Sequence, residues 1–116
     1  IADYDLRHDI LFLRAKDCTY DHSVEVGESL VVDFDVKGHI NGIQIFDASQ
    51  FLNIKKEIIQ HILSWSFEAY THKNTIDIHF NLLAKDNKKI IERNPIIIKS
   101  IVDASFKDTQ TMLEMG

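Results

Sequence analysis

The sequence predicts an α+β domain: an antiparallel β-meander, a helix packed on the sheet, then a second antiparallel β-meander. Three observations carry this. Residues 10–46 hold short apolar runs divided by turn residues, as in Leu30-Val31-Val32-Asp33-Phe34-Asp35 before Val36-Lys37-Gly38. Isoleucines then recur four apart, at Ile54, Ile58 and Ile62. Finally Ile76, Ile78, Phe80 and Leu82 alternate with Asp77, His79 and Asn81. Period two marks a half-buried strand, and a spacing of three to four marks one face of a helix.

In order along the chain, Ile10 to Arg14 reads as a first strand, rich in large apolar side chains. Cys18 to Ser23 is polar and reads as a loop. Ser23 to Val26 is a short strand ended by Gly27-Glu28. In Leu30 to Phe34 the even positions are apolar, which puts Leu30, Val32 and Phe34 on one face. Asp35 to Gly38 is a hairpin turn, with Gly38 free to take a positive φ. Ile40 to Phe46 returns as the next strand, and Gly42 within it predicts a bulge or a close backbone approach.

Asp47-Ala48-Ser49-Gln50 reads as a helix start. Asp47 is the expected N-cap, and Gln50 is spaced to reach back as in a capping box. Asn53 is placed to cap a second helical segment. Ile54, Ile58 and Ile62, widened by Ile59 and Leu63, form the expected buried stripe, with Lys55, Lys56, Glu57 and Gln60 toward solvent. Trp65, Phe67 and Ala69 then alternate with Ser66, Glu68 and Tyr70. His72-Lys73-Asn74 and Asp86-Asn87-Lys88-Lys89 are turns. Ile90 to Arg93 and Ile96 to Val102 are later strands, divided by Pro95, which has no N–H for a ladder. The domain is expected to span residues 1–106, with 107–116 a mobile tail or an exchanged arm. A faint echo between Asp9–Asp17 and Asp77–Asp86 has unequal spacing to the following Asp-Ala-Ser, and reads as chance similarity among strands.

At 116 residues, 45% apolar and 27% charged, the chain suits one ordinary globular domain with its own core. Cys18 is the sole cysteine, so no intramolecular disulfide is possible, and a cytoplasmic, reducing location is expected. The longest apolar run, at Pro95 to Ile98, is too short to span a membrane. No secretory signal is recognisable, and the Ile1 start is expected to reflect processing or trimming. Residues 1–54 carry 4 Lys/Arg and 10 Asp/Glu, whereas 55–116 carry 9 and 8. That acidic first half disfavours binding to phosphate backbones, so no nucleic-acid partner is expected.

Candidate chemistry is thin. Asp33-x-Asp35-x-x-Gly38 opens like a calcium loop, but Lys37 and Gln44 stand where oxygen ligands belong, so a β-turn is expected. His8, His22, His39, His61, His72 and His79 show no i, i+2 or i, i+4 pairing. Zinc shared by Cys18 and His22 is the main alternative for them. His79 and Asp77 are expected to meet on the outer face of one strand. Cys18 with His22, Asp17 and Asp21 resembles a nucleophile with its base, without an oxyanion-hole motif. Asp3, Asp5 and Asp9 read as a solvated strand edge rather than an acid/base pair. Trp65, Phe67, Tyr70 and Phe80 lack the interleaved basic residues of a base-stacking platform, so packing is their expected use. No catalytic residue, metal ligand or cofactor site is assigned.

One stretch carries a resemblance. Tyr4-Asp5, Asp9-Ile10-Leu11-Phe12-Leu13, Glu25-Val26-Gly27, Val31-Val32-Asp33-Phe34-Asp35, Gly38, Gly42-Ile43-Gln44-Ile45 and Ala48-Ser49 follow one another in order. Over about residues 1–51 this resembles the domain of unknown function 2283 family. Phe12 stands where that pattern usually has Tyr, and Gln44 where it has Glu. The resemblance implies a small β-meander leading into a helix, and no established activity. It also suggests an antitoxin-like role, masking a partner protein.

The expected function is a small non-enzymatic binding protein, probing neither nucleic acid nor membrane and working as a homodimer. One helix leaves much of an apolar sheet uncovered, and Trp65, Phe67, Ile96, Ile97 and Ile98 are the interface candidates. The alternatives are the antitoxin-like regulator and a small metal-dependent hydrolase using Asp33, Asp35 and a histidine.

Overall fold

The computed structural model of the chain describes residues 1–16, 19–102 and 104–114. Five strands form the first sheet: β1 (Ala2–Asp5), β2 (Ile10–Arg14), β3 (Tyr20–Val26), β4 (Leu30–Asp35) and β5 (Ile40–Phe46). Two helices follow, α1 (Ala48–Leu52) and α2 (Lys56–Ile59). The second sheet holds β6 (Ile62–Lys73), β7 (Thr75–Asp86), β8 (Lys89–Arg93), β9 (Ile96–Ser100) and β10 (Phe106–Glu114).

The α+β expectation does not hold. The protein is mostly β, built on two antiparallel sheets, and its helices are five and four residues long. Asn53 enters the left-handed region at φ 54°, which ends α1 after one turn. Ile54, Ile58 and Ile59 are buried as the stripe requires, but Ile62 already belongs to β6 and Leu63 is exposed. Isoleucine suits a strand as well as a helix face, so spacing alone could not locate the switch. The first sheet is therefore covered by a second sheet rather than by a helix.

The first sheet has the order β1-β2-β5-β4-β3. Register sets its inner face: Leu11 and Leu30 flank Ile45, and Leu13 and Val32 flank Ile43. The β4–β5 register slips by one between Asp33 and Phe34, which makes Asn41 the extra residue of a bulge beside Gly42. A side chain at 42 would meet the Asp33 carboxylate at 3.1 Å and Arg14 Cβ at 3.3 Å. That is the close approach the lone glycine predicted.

The second sheet runs β10-β6-β7-β8, with β9 also on β7. With β8 and β9 counted together as the third strand after β6 and β7, β10 returning beside β6 completes a Greek key. Trp65, Phe67, Ala69 and Thr71 of β6 face Leu82, Phe80, Ile78 and Ile76 of β7 in register. All eight are buried. They join the inner face of the first sheet and the helices in one core. Residues 107–116, expected to be a mobile tail, lie in β10 as far as Glu114, paired along β6. There Thr109, Thr111 and Leu113 are half-buried, while Asp108, Gln110, Met112 and Glu114 are exposed. Polar threonines on the inner side hid this alternation from a hydrophobicity reading.

Candidate functional site

The polar residues of the N-terminal motif converge on a buried carboxylate. Asp9 closes the β1–β2 turn at φ 56°, a left-handed conformation that Asp tolerates better than most residues. The Tyr4 hydroxyl donates to Asp9 Oδ1 at 2.6 Å. The Ser49 backbone N–H donates to the same oxygen at 3.1 Å, and the Ser49 hydroxyl to Oδ2 at 2.6 Å. The Asp9 carbonyl accepts the Ala48 N–H at 3.0 Å. Asp9 therefore caps α1 from 40 residues away. Asp47, the expected N-cap, sits in the left-handed region and makes no side-chain cap bond.

The electrostatics agree. Burial pushes the Asp9 carboxyl up, but the hydrogen bonds from the Ser49 hydroxyl, Tyr4 and the Ser49 amide outweigh it and hold the group below its ordinary range. Burial, then the Asp9 bond and charge, hold the Tyr4 phenol well above its ordinary range. The Ser49 amide and hydroxyl both donate hydrogen bonds to the Asp9 carboxylate, which ties the turn to the start of α1.

Asp33 and Asp35 are likewise committed. Asp33 Oδ1 accepts from the Ser23 hydroxyl at 2.6 Å and from Gln44 Nε2 at 3.2 Å. A carboxylate at 44 could not donate in this way. Asp35 Oδ1 accepts the backbone N–H groups of Lys37 and His39, each at 2.9 Å, and so shapes the turn at Gly38. Five histidines each lie against one aspartate: His8 with Asp5, His22 with Asp21, His39 with Asp35, His72 with Asp108 and His79 with Asp77. These are separate surface pairs, of a kind that contributes little each. His8 holds the Asp5 carboxyl below its ordinary range through a side-chain hydrogen bond. Among the described residues, no three His, Cys, Asp or Glu side chains gather as a metal site would need. Asp17 and Cys18 lie outside the described residues, and with them the proposed Cys18–His22 zinc and nucleophile pairs.

The acidic trio at the start of the chain divides. Asp3 is exposed on edge strand β1, Asp5 bonds His8, and Asp9 is the buried cap. A second cap escaped the sequence reading altogether. Arg93 of β8 donates from Nε to the Leu52 carbonyl at 2.8 Å and from Nη2 to the Asn53 carbonyl at 3.0 Å. It thereby closes the C-terminal end of α1 and ties it to the second sheet. Arg93→Ala should lower stability by about 1–2 kcal/mol, and Arg93→Lys should recover only part of it, because Lys lacks the planar fork. Urea unfolding of the three proteins would measure this, and equal midpoints would exclude a capping role.

The interface candidates separate by face. Trp65 and Phe67 are 3% and 0% exposed and lie in the core, stacked with ring centroids 6.2 Å apart. Ile97 is half-buried on the inner side, opposite Ile78. Ile96 and Ile98 are 60% and 64% exposed on the outer face. Beside them, Asp77 and His79 are 2.8 Å apart, and the Tyr70 hydroxyl donates to Glu68 at 2.9 Å. Ile90 and Met112 are also exposed on this second sheet. The molecule is thus an antiparallel two-sheet β protein in which Asp9, Asp33 and Asp35 accept hydrogen bonds from within the chain and, among the described residues, the outer face of the second sheet exposes Ile90, Ile96, Ile98 and Met112.

Comparison with known proteins agrees with the motif reading. Residues 2–49 match the family described as protein of unknown function (DUF2283), the family that Tyr4 to Ser49 resemble. The chain is also similar to the uncharacterized protein MJ0789 of Methanocaldococcus jannaschii, with 22% identity over 113 residues, 96% of this chain and 95% of that protein. No solved structure matches at a significant level. Among the described residues, no helix is long and apolar enough to cross a membrane.

Proposed function

We propose that this protein is a non-enzymatic interaction module that works as a homodimer joined through its second sheet. The observation that carries this is the row of exposed isoleucines, Ile90, Ile96 and Ile98, on β8 and β9. Large apolar side chains along a free strand edge are normally blunted or covered, since they invite pairing with another chain. Closed two-fold pairing is the commonest way to cover them. The commitment of Asp33 and Asp35 to turn and cross-strand bonds favours this over hydrolysis.

Light scattering combined with native mass spectrometry tests it directly. The expected species at micromolar concentration has twice the 13.4 kDa chain mass. A monomer throughout that range would remove the proposal.

A further inference from the structure

We infer that two copies join edge to edge along β8 and β9, antiparallel about a two-fold axis at Asn94, so that the second sheet continues into that of the second copy. This rests on the homodimer proposed above and specifies its interface.

β8 and β9 are one edge strand. Paired residue numbers add to 175 both along β8, as in Leu82 with Arg93, and along β9, as in His79 with Ile96. The register therefore passes unbroken through Asn94-Pro95. Within it, the Phe80 N–H donates to the Pro95 carbonyl at 3.0 Å, and the Ile101 N–H to the Asn74 carbonyl at 2.7 Å. Antiparallel ladders use alternate residues, so the odd-numbered positions bond toward β7. The even-numbered ones, Ile90, Glu92, Asn94, Ile96, Ile98 and Ser100, aim their N–H and C=O groups away from it.

Proline usually blunts a sheet edge. Pro95 does not do so here, because it is an odd-numbered position. Its missing N–H is lost to the Phe80 side of the strand, and the free side keeps every donor. Of the acceptors on that side, the Glu92 carbonyl already takes a hydrogen bond from Arg93 Nη1 at 2.9 Å, so a second copy would share its other lone pair.

The other edges are poorer ones. β1 is four residues long, and β3 with Asp21 and Glu25 and β10 with Asp108 and Glu114 lack the exposed isoleucines that accompany Lys89, Glu92 and Lys99 on β8 and β9. Stacking two copies through the outer face of the second sheet would oppose Glu68, Asp77, Glu92 and Glu114 with their own copies. Edge pairing leaves that acidic face in water.

Two registers lay the whole strand against itself with the even positions bonded. Centring on Asn94 sets Ile90 opposite Ile98 of the second copy, and Ile91 opposite Ile97. Centring on Pro95 sets Ile90 opposite Ser100 and Ile91 opposite Lys99. The first pairs apolar with apolar twice over by symmetry, which favours it. Lys89 and Lys99 then meet at the strand ends, both exposed, where salt screens their repulsion.

The test is disulfide trapping in a Cys18→Ser background. A hydrogen-bonded antiparallel pair has its Cα atoms about 5.5 Å apart, within disulfide reach. Asn94→Cys should therefore cross-link to a covalent dimer under mild oxidation, while Gln110→Cys on the opposite edge should stay monomeric on a non-reducing gel. Ile96→Lys with Ile98→Lys should weaken the dimer by about 100-fold or more while leaving the circular dichroism of the monomer intact. A native dimer that shows neither effect would overturn the edge interface and leave the homodimer standing. A native monomer would overturn both.

Discussion

Phe34→Ala is expected to destabilise the protein by about 3–5 kcal/mol, the range for emptying a well-packed aromatic site. Phe34 is 1% exposed and projects from β4 into the space between the sheets. Its ring stacks on Phe106 of β10, with centroids 5.4 Å apart and planes within 9°. His22 stacks on its other side at 5.0 Å. The substitution removes the shared surface of three rings and loosens an aromatic stack that joins the two sheets. Small domains have total stabilities of about 5–15 kcal/mol, so the loss is a large share. Thermal unfolding should show a drop in Tm of at least about 12 °C, taking roughly 4 °C per kcal/mol as the low end for a domain near this size. Val36→Ala, at an exposed position two residues on, should change little. Similar Tm values for the two variants would mean that Phe34 does not hold the sheets together.

Asp9→Ala is expected to cost about 2–3 kcal/mol, because it strips the partner from three donors in a partly buried place. The Tyr4 hydroxyl, the Ser49 amide and the Ser49 hydroxyl would all lose their acceptor. Asp9→Asn keeps one oxygen and tolerates the positive φ, so it should cost less. The pH dependence carries the sharper signature. Asp9 is held below its unfolded range, so its contribution is complete above about pH 4, the ordinary carboxylate range, and disappears as pH falls through the lowered native value. Wild type should therefore lose stability on acidification more steeply than Asp9→Asn, and the two Tm curves should converge in acid. Parallel curves down to about pH 2 would show that the Asp9 charge contributes nothing to the fold.

Local signals are legible in the sequence where they are strong. The alternation in β4 and β7, the turn at Gly38 and the tight spot at Gly42 all appear where single residues and their neighbours predicted them. The isoleucine spacing predicts a longer helix than the one that ends at Ile59, because isoleucines four apart serve either a helix face or a strand end. Capping rules point to Asp47 because they look to the adjacent residue, whereas Asp9 arrives through the β1–β2 turn. Arg93 gave no signal, since nothing in Ile90 to Arg93 points to α1.

The sequence by itself determined where β2, β4, β5 and β7 run extended and where they turn, since these depend on side-chain period and on the φ that Gly, Asn and Asp permit, but it did not mark the start of β3 at Tyr20 or the strand β10. It also marked residues 2–49 through an ordered set of motifs. Only the tertiary structure decided that a second sheet, rather than a helix, covers the first. The same packing placed Trp65 and Phe67 in the core and left Ile96 and Ile98 outside. The physical reason is that periodicity identifies an apolar face without naming what lies against it. Burial of that face, and the satisfaction of polar groups such as Asp9 and the ends of α1, are settled by residues distant in the chain.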